Sequence, residues 1–261
     1  MSRRLLIVAC AAIYIFLMLP LVVVFPISFS SAPYMQFPPP GFSVQWYERY
    51  LDDPQWIDAT VRSLYIGAAT AVLALALGVP LAFALARGRF AGRLLVDRLA
   101  LAPLVVPTII LSVGLYGLFA KLKLIGEWYG LVAAHTVLAL PFVVLNVSAV
   151  LYKLDRSLER AARSLGAGPL RTFATVMLPL LWPGIASGAI FAFLISFDEI
   201  VVAMFVSGSN PTLPKLMFDG IRYELNPVVA AVSSQLIAVT TLALLASAWL
   251  RRRTERITGG A

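Results

Sequence analysis

Apolar residues gather along this chain in runs of about 20 or more, the length at which an α-helix crosses a hydrocarbon core roughly 30 Å thick. Six such runs are legible, at 5–27, 60–86, 99–120, 129–152, 183–206 and 228–250. The pattern predicts an all-α integral membrane protein with six transmembrane helices, organised as one membrane domain over residues 1–261. Two polar interruptions stand out. A basic amphipathic stretch, 153–182, separates the fourth and fifth runs, and the adjacent carboxylates Asp198 and Glu199 lie inside the fifth.

Smaller features refine the picture. Behind the first run, a proline-rich connector from Pro33 to Pro40 leads into GFSVQWYERYL, residues 41–51, where Phe42, Trp46, Tyr47 and Tyr50 recur at helix-like intervals. The spacing predicts an interfacial amphipathic helix with its rings at headgroup level, a patch facing a partner being the alternative. Asp52, Asp53 and Asp58 make this connector acidic. The second run, Gly67 to Ala86, is rich in Ala and Gly, which lets helix backbones approach closely, so it reads as an interior packing helix. Pro103 and Pro107 in the third run and Pro141 in the fourth remove backbone hydrogen bonds; such breaks either border a cavity or kink a packed helix. No internal repeat relates the two halves.

Composition agrees with a membrane protein: 60% of residues are hydrophobic and 13% charged, with mean hydropathy +0.88, far from the soluble average of about a quarter charged. Basic residues set the orientation. Arg3 and Arg4, the group Arg87/Arg89/Arg93/Arg98, the group Lys153/Arg156/Arg160/Arg163/Arg171 and the tail Arg251/Arg252/Arg253/Arg256 all fall on one side of the six spans. By the positive-inside rule that side is cytoplasmic, with both termini, while 28–59, 121–128 and 207–227 face outward. The net charge of +8 then reflects topology and anionic lipid headgroups, not nucleic acid. Ile7-Val8-Ala9-Cys10 fits a lipoprotein cleavage pattern, yet the apolar run continues to Pro26, so an uncleaved first helix is expected. Cys10 is the only cysteine, which rules out an internal disulfide. The chain has no GxxxxGK[ST] phosphate loop, no nucleophile with a matching base and no cluster of metal ligands. No catalytic residue, bound cofactor or metal site is therefore expected.

The stretch LERAARSLGAGPLRTFATVMLPLLWPGI, from Leu158 to Ile185, carries a recognisable spacing: Arg160-Ala161-Ala162, three residues, Gly166, nine residues, then Val176-Met177-Leu178-Pro179. Asp155 or Ser157 can cap a helix, Gly166 with Gly168-Pro169 provides a turn, and a second short helical segment runs through Phe173. A helix, a bend and a helix result, with Leu158, Ala161, Ala162 and Leu165 on one side; a membrane-surface helix would not require Gly and Leu-Pro at these distances. The spacing resembles the EAA loop of ABC importer permeases, whose short helix seats in a groove of the ATPase subunit. That resemblance implies a type I importer fold and an ATPase-coupling role for Glu159, Arg160, Ala161, Ala162, Gly166, Leu178 and Pro179. In one respect the chain departs from the family: Arg160 stands where a Glu usually precedes the Ala pair, with Glu159 one place earlier. One residue turns a helical side chain by about 100°, so the polar contact of the family Glu is not transferable, and Arg160 is suited to an acidic partner group.

Carboxylates at the centre of a membrane helix cost roughly 2.5–3.5 kcal/mol each on insertion scales, so Asp198 and Glu199 need water, a partner or a cation. They read as a pathway-facing site for something positively charged, the alternatives being an Arg on a neighbouring helix or a position at the outer interface. Adjacent helical residues diverge by about 100°, so one of the two is expected to face the pathway, and the flanking Ser196-Phe197 and Ile200-Val201-Val202 favour Asp198. Ser196-Phe197-Asp198-Glu199-Ile200-Val201-Val202, Phe205-Val206-Ser207-Gly208, Leu213-Pro214-Lys215, the segment 41–47 and Ala134 to Val144 are similar to the polyamine branch of these permeases, the C-type permease of spermidine/putrescine importers. Glu199 replaces the second of the branch's two aspartates. Glu127, Trp128, Tyr129, Tyr223 and Glu224 are further residues suited to a polycation, being acidic or aromatic. His135, alone in an apolar span, reads as a hydrogen-bonded packing residue.

The resemblance implies two copies of a separate ATPase that hydrolyses ATP, a second homologous permease, an extracytoplasmic substrate-binding protein, and a place in a bacterial inner membrane among its lipids. Permeases for iron(III), sulfate or molybdate, thiamine or opines share the cytoplasmic loop, although paired carboxylates disfavour an anion. A self-sufficient secondary carrier and a membrane scaffold are the alternatives from other classes. The missing repeat symmetry weighs against the first, and the intramembrane carboxylates against the second.

Overall fold

The computed structural model describes residues 3–257; in the last helix nothing beyond Leu242 except Leu245 has a described side chain, which places the basic tail Arg251, Arg252, Arg253 and Arg256 outside the described side chains. The regular elements among the described residues are helices: α1 (Arg3–Ser28), α2 (Gln45–Asp52), α3 (Pro54–Arg87), α4 (Arg93–Leu101), α5 (Thr108–Lys121), α6 (Trp128–Lys153), α7 (Ser157–Ser164), α8 (Pro169–Thr172), α9 (Leu178–Phe197), α10 (Val201–Val206), α11 (Leu213–Asp219) and α12 (Val228–Ile257). Four helical stretches among them are long and apolar enough to cross a membrane, or five if one bent pair counts as a single span.

That bent pair corrects the expected span at 99–120. Instead of one helix, Arg93–Leu104 and Thr108–Lys121 meet at 106°. The reason is local: Pro103 and Pro107 lack the N–H groups a continuous helix requires, and Pro107 pushes Val106 out of helical geometry. The expected fifth span, 183–206, is likewise replaced by a helical stretch from Pro169 to Phe197, a break, and the short α10. At the sixth, the described apolar part, Val228–Leu242, is shorter than a full crossing.

The chain forms two compact units, residues 1–57 with 217–261 and residues 58–216. In the first, α1 and α2 pack on α12. Here the expected interfacial helix is corrected: Trp46 and Tyr50 are buried and Tyr47 half-buried, and of the four rings Phe42 alone, ahead of the helix, is exposed. Polar tips explain the burial. Trp46 Nε1 donates to the Ser30 carbonyl at 2.8 Å, while the Tyr47 hydroxyl bridges Ser28 Oγ at 2.7 Å and Ser234 Oγ at 2.8 Å. An aromatic residue whose polar end finds a partner is free to bury its ring.

The second unit is built around α6 and α9, packed side by side. Ala71, Ala74, Ala82 and Leu85 from α3 join Val143, Val147 and Leu151 from α6 and Leu181 and Ala192 from α9 in one apolar core. A second core gathers Ile66, Phe119, Leu138, Val202 and Val206. Small residues set the spacing, as the Ala and Gly content of the second run implies. At Gly184 a Cβ would come within 2.8 Å of Val150 Cγ2 and 3.0 Å of the Asn146 carbonyl. Gly184→Val is therefore expected to overpack the α6–α9 seam at a cost of about 1–3 kcal/mol. The check is the melting temperature of the purified protein; an unchanged value would mean the helices separate freely.

Candidate functional site

The polar loop after α6 is held in place by interactions that single residues of the sequence do not reveal. Asp155 Oδ1 accepts the Ser157 N–H at 2.8 Å, so Asp155, two positions before the helix, supports the start of α7. This backbone hydrogen bond, with a second one from the Ser157 side chain, holds the Asp155 carboxyl below the usual carboxylate range. Two residues into α7, Glu159 turns inward and is buried, while Arg160, about 100° further round, is exposed. Glu159 Oε1 lies 2.9 Å from Arg87 Nε at the C-terminal end of α3, an ion pair without the alignment of a hydrogen bond. Two hydrogen bonds flank the pair. Arg87 Nη2 donates to the Leu154 carbonyl at 2.8 Å, and Arg156 Nη2 donates to the Ala86 carbonyl at 3.1 Å.

α7 ends in a Schellman motif: the Ala167 N–H reaches the Ala162 carbonyl at 3.1 Å and the Gly166 N–H the Arg163 carbonyl at 3.0 Å. Gly166 takes φ +83°, with nothing within 4 Å of the position a Cβ would occupy. Backbone conformation alone, not crowding, demands glycine there. Gly166→Val is expected to cost about 1–3 kcal/mol in this turn, whereas Gly166→Asn, which tolerates left-handed backbone, should be nearly neutral. Thermal stability of the two variants checks this, and equal losses would place the constraint outside the backbone. Past the turn, α8 runs into a π-helical turn, Phe173–Met177, and then into Leu178 and Pro179 at the start of α9. Leu158, Ala161 and Leu165 are exposed and Ala162 half-buried, so the apolar side of α7 points largely outward, with Leu165 89% exposed.

Asp198 and Glu199 are not at a helix centre. Asp198 is the C-cap of α9 and is exposed; Glu199 is half-buried in the break before α10, where its Oε1 accepts the Val202 N–H at 2.9 Å. A carboxylate that takes up a free N–H at the start of a helix is well placed electrostatically, and the cost of mid-helix insertion does not apply. Glu199 also lines a cavity of about 410 Å³ whose walls include Pro103 to Thr108, Leu138, Phe142 and Ile195. The bend between α4 and α5 thus forms a wall of the cavity that holds the carboxylate. Phe142 in this wall stacks on Phe191 with ring centroids 6.3 Å apart.

Two residues before the break, buried Ser196 connects three helices. Its Oγ lies 2.8 Å from His135 Nδ1 on α6 and donates to Thr70 Oγ1 on α3 at 3.2 Å. His135 is fully buried, a hydrogen-bonded residue of the helix interior. Trp128 and Tyr129 are exposed at the start of α6, Trp128 edge-on to Tyr65 at 6.5 Å, and Glu127 precedes them. Tyr223 and Glu224 belong to the other compact unit. Arg87 and Arg156 are the site residues that the sequence hides, since a basic residue ending an apolar run looks the same whether it marks membrane orientation or builds a tether.

The sequence pattern of the family described as "binding-protein-dependent transport system inner membrane component" matches residues 74–256. The chain belongs to that family. Around this inner membrane component stand relatives of known description. It is 36% identical over 224 residues to the putrescine transport system permease protein PotI of Escherichia coli K12, covering 83% of this chain and 80% of that protein. Over 242 residues it is 31% identical to the spermidine/putrescine transport system permease protein PotC of Haemophilus influenzae, covering 92% and 94%. A chain from the crystal structure of a bacterial ABC transporter involved in the import of the acidic polysaccharide alginate superposes with TM-score 0.74 at 21% identity, covering 95% of this chain and 98% of that one. At that identity the likeness concerns the fold. Family membership and the apolar helices together make the chain a multi-pass inner membrane transport permease, not an enzyme.

Proposed function

We propose that this chain is a membrane-spanning subunit of an ATP-driven importer for polyamines, putrescine or spermidine, or closely related organic cations. The observation that carries the reading is the half-buried Glu199 carboxylate on the wall of a cavity whose other lining side chains, Thr108 apart, are apolar, in a chain over a third identical to a putrescine permease across most of its length. A flexible polycation with methylene spacers suits such a wall: the carboxylate meets an ammonium group, and Phe142 and Leu138 meet the spacers. A site for transit must also release its cargo, which favours few charges over many.

In this reading the chain crosses the membrane six times with both termini cytoplasmic, the bent α4–α5 pair counting as the third crossing. A separate ATPase subunit, in two copies, hydrolyses ATP and engages the loop 153–182 through the outward side of α7; this chain binds no cofactor itself. A second homologous permease completes the pathway, and an extracytoplasmic binding protein delivers substrate to it. Uptake of radiolabelled putrescine and spermidine by cells carrying the complete transporter tests the assignment. Energy-dependent uptake of either, absent when this chain is deleted, is the expected result; no uptake of either would remove the polyamine reading and leave the family assignment untouched.

A further inference from the structure

Beside the tether between α3 and α7, on the loop that the proposed function gives to the ATPase, lies a cavity of about 500 Å³. Arg87, Arg156, Arg160 and Arg163 line it, and Glu159 is the one carboxylate among its lining residues. Glu159 is committed to Arg87 by their ion pair and the exposed Asp155 interacts with Arg160 and Arg87 from outside the lining, so the positive charge of the cavity still exceeds the negative. Arg160 and Arg163 are exposed and form no ion pair among the described residues. Such a concentration of positive charge at the end of a membrane helix calls for an anion.

The neighbourhood narrows the choice of anion. Phe83 and Ala84, on the wall of the basic cavity, also line a groove of about 390 Å³ formed with Pro80, Pro169, Leu170 and Phe173. This groove has no charged residue in its lining, and Leu170 is 84% exposed over it. A cationic cavity that shares a wall with an apolar groove matches a molecule that is anionic at one end and hydrocarbon at the other. An acidic peptide or free phosphate would satisfy the arginines and leave the groove uncovered.

We propose that this composite site binds an anionic phospholipid, its phosphate held by Arg156, Arg160 and Arg163 and an acyl chain lying along the groove toward Phe173. Guanidinium groups suit the phosphate because they present paired donors, and basic pockets beside membrane helices take acidic headgroups by the same physics. The lipid would rest against both α3 and α7, next to the interactions that join them.

The test uses the complete transporter reconstituted into phosphatidylcholine vesicles carrying a trace of photoactivatable phosphatidylglycerol or, separately, photoactivatable phosphatidylcholine, each labelled on the acyl chain. Phosphatidylglycerol is expected to crosslink to this chain within residues 80–88 and 156–173 in preference to phosphatidylcholine. The paired exposed substitutions Arg160→Gln and Arg163→Gln should lower that labelling about 30-fold, from the loss of two cationic contacts. Leu170→Gln, which leaves every arginine in place, should lower it as well, a response that a purely electrostatic phosphate site would not give. Equal labelling by the two lipids, or labelling by phosphatidylglycerol that survives the arginine pair, would overturn the proposal. So would loss of the ATPase subunit from the arginine variant with its lipid labelling intact, which would assign these charges to subunit docking, and so would abolition of the labelling by inorganic phosphate at equal concentration.

Discussion

Glu159→Gln is expected to destabilise the junction of α3 and α7 by about 3 kcal/mol, far more than an exposed loop carboxylate would. Arg87 would keep its hydrogen bond to the Leu154 carbonyl at 2.8 Å but lose the charge that neutralises it in a position where its side chain is 11% exposed. An uncompensated, largely buried guanidinium accounts for the size of the effect, at the lower end of the range because some solvent still reaches the pair. The informative comparison adds Arg87→Met and the double variant Arg87→Met with Glu159→Met. Removing both charges together should recover a large part of the loss, giving a coupling energy of the same order as the single effects. Thermal stability of the purified complete transporter supplies all four values. Additive losses would show that the two side chains stabilise the protein independently and that the pair is no tether.

Glu199→Gln should abolish most substrate uptake, by about tenfold or more, while leaving the break between α9 and α10 intact. The substitution separates two roles of one side chain. Gln retains an oxygen that accepts the Val202 N–H, now made at 2.9 Å, but no longer presents a negative charge to the cavity. Asp198→Asn, at the exposed C-cap, is the matched control and should lower uptake less. Uptake of labelled putrescine, normalised to the amount of assembled transporter, decides between them. Were Asp198→Asn the more damaging change, the pathway would run past the end of α9 and the cavity under Glu199 would not be on it.

The contrast between these carboxylates shows what the sequence can convey. Asp198 and Glu199 were visible as anomalies because charge inside an apolar run is costly wherever it falls. Which of them faces a cavity depends on a break that the run conceals: the apolar pattern continues through Ile200 to Val206 although the helix stops at Phe197. Hydropathy records burial in membrane or protein, and it is indifferent to whether the backbone is continuous. The α4–α5 bend had a signal, Pro103 and Pro107, yet proline alone does not distinguish a kink from a turn of 106°. The aromatic helix at 45–52 failed for a different reason. Its spacing is that of an amphipathic helix, but whether its apolar face meets lipid or protein depends on Ser28, Ser30 and Ser234, and Ser234 is distant in the chain. The loop around α7 was most legible because its determinants are local: a capping carboxylate, a glycine at positive φ and a Leu-Pro start.

The π-helical turn at Phe173–Met177 adds a geometrical consequence. A π turn spans five residues where an α turn spans four, so it contains one residue more than a continuous helix between α8 and α9 would use. That surplus is taken up within the one turn between α8 and α9. Deleting one residue here would let the turn close as an ordinary α turn and leave Pro169 and Leu170 near Pro80 and Phe83, whereas a deletion in the regular α-helix beyond it would swing them by about 100° around the axis. The segment therefore holds a reserve of length, and a one-residue deletion is absorbed in the π turn while the same deletion in the neighbouring α-helix would present a different surface.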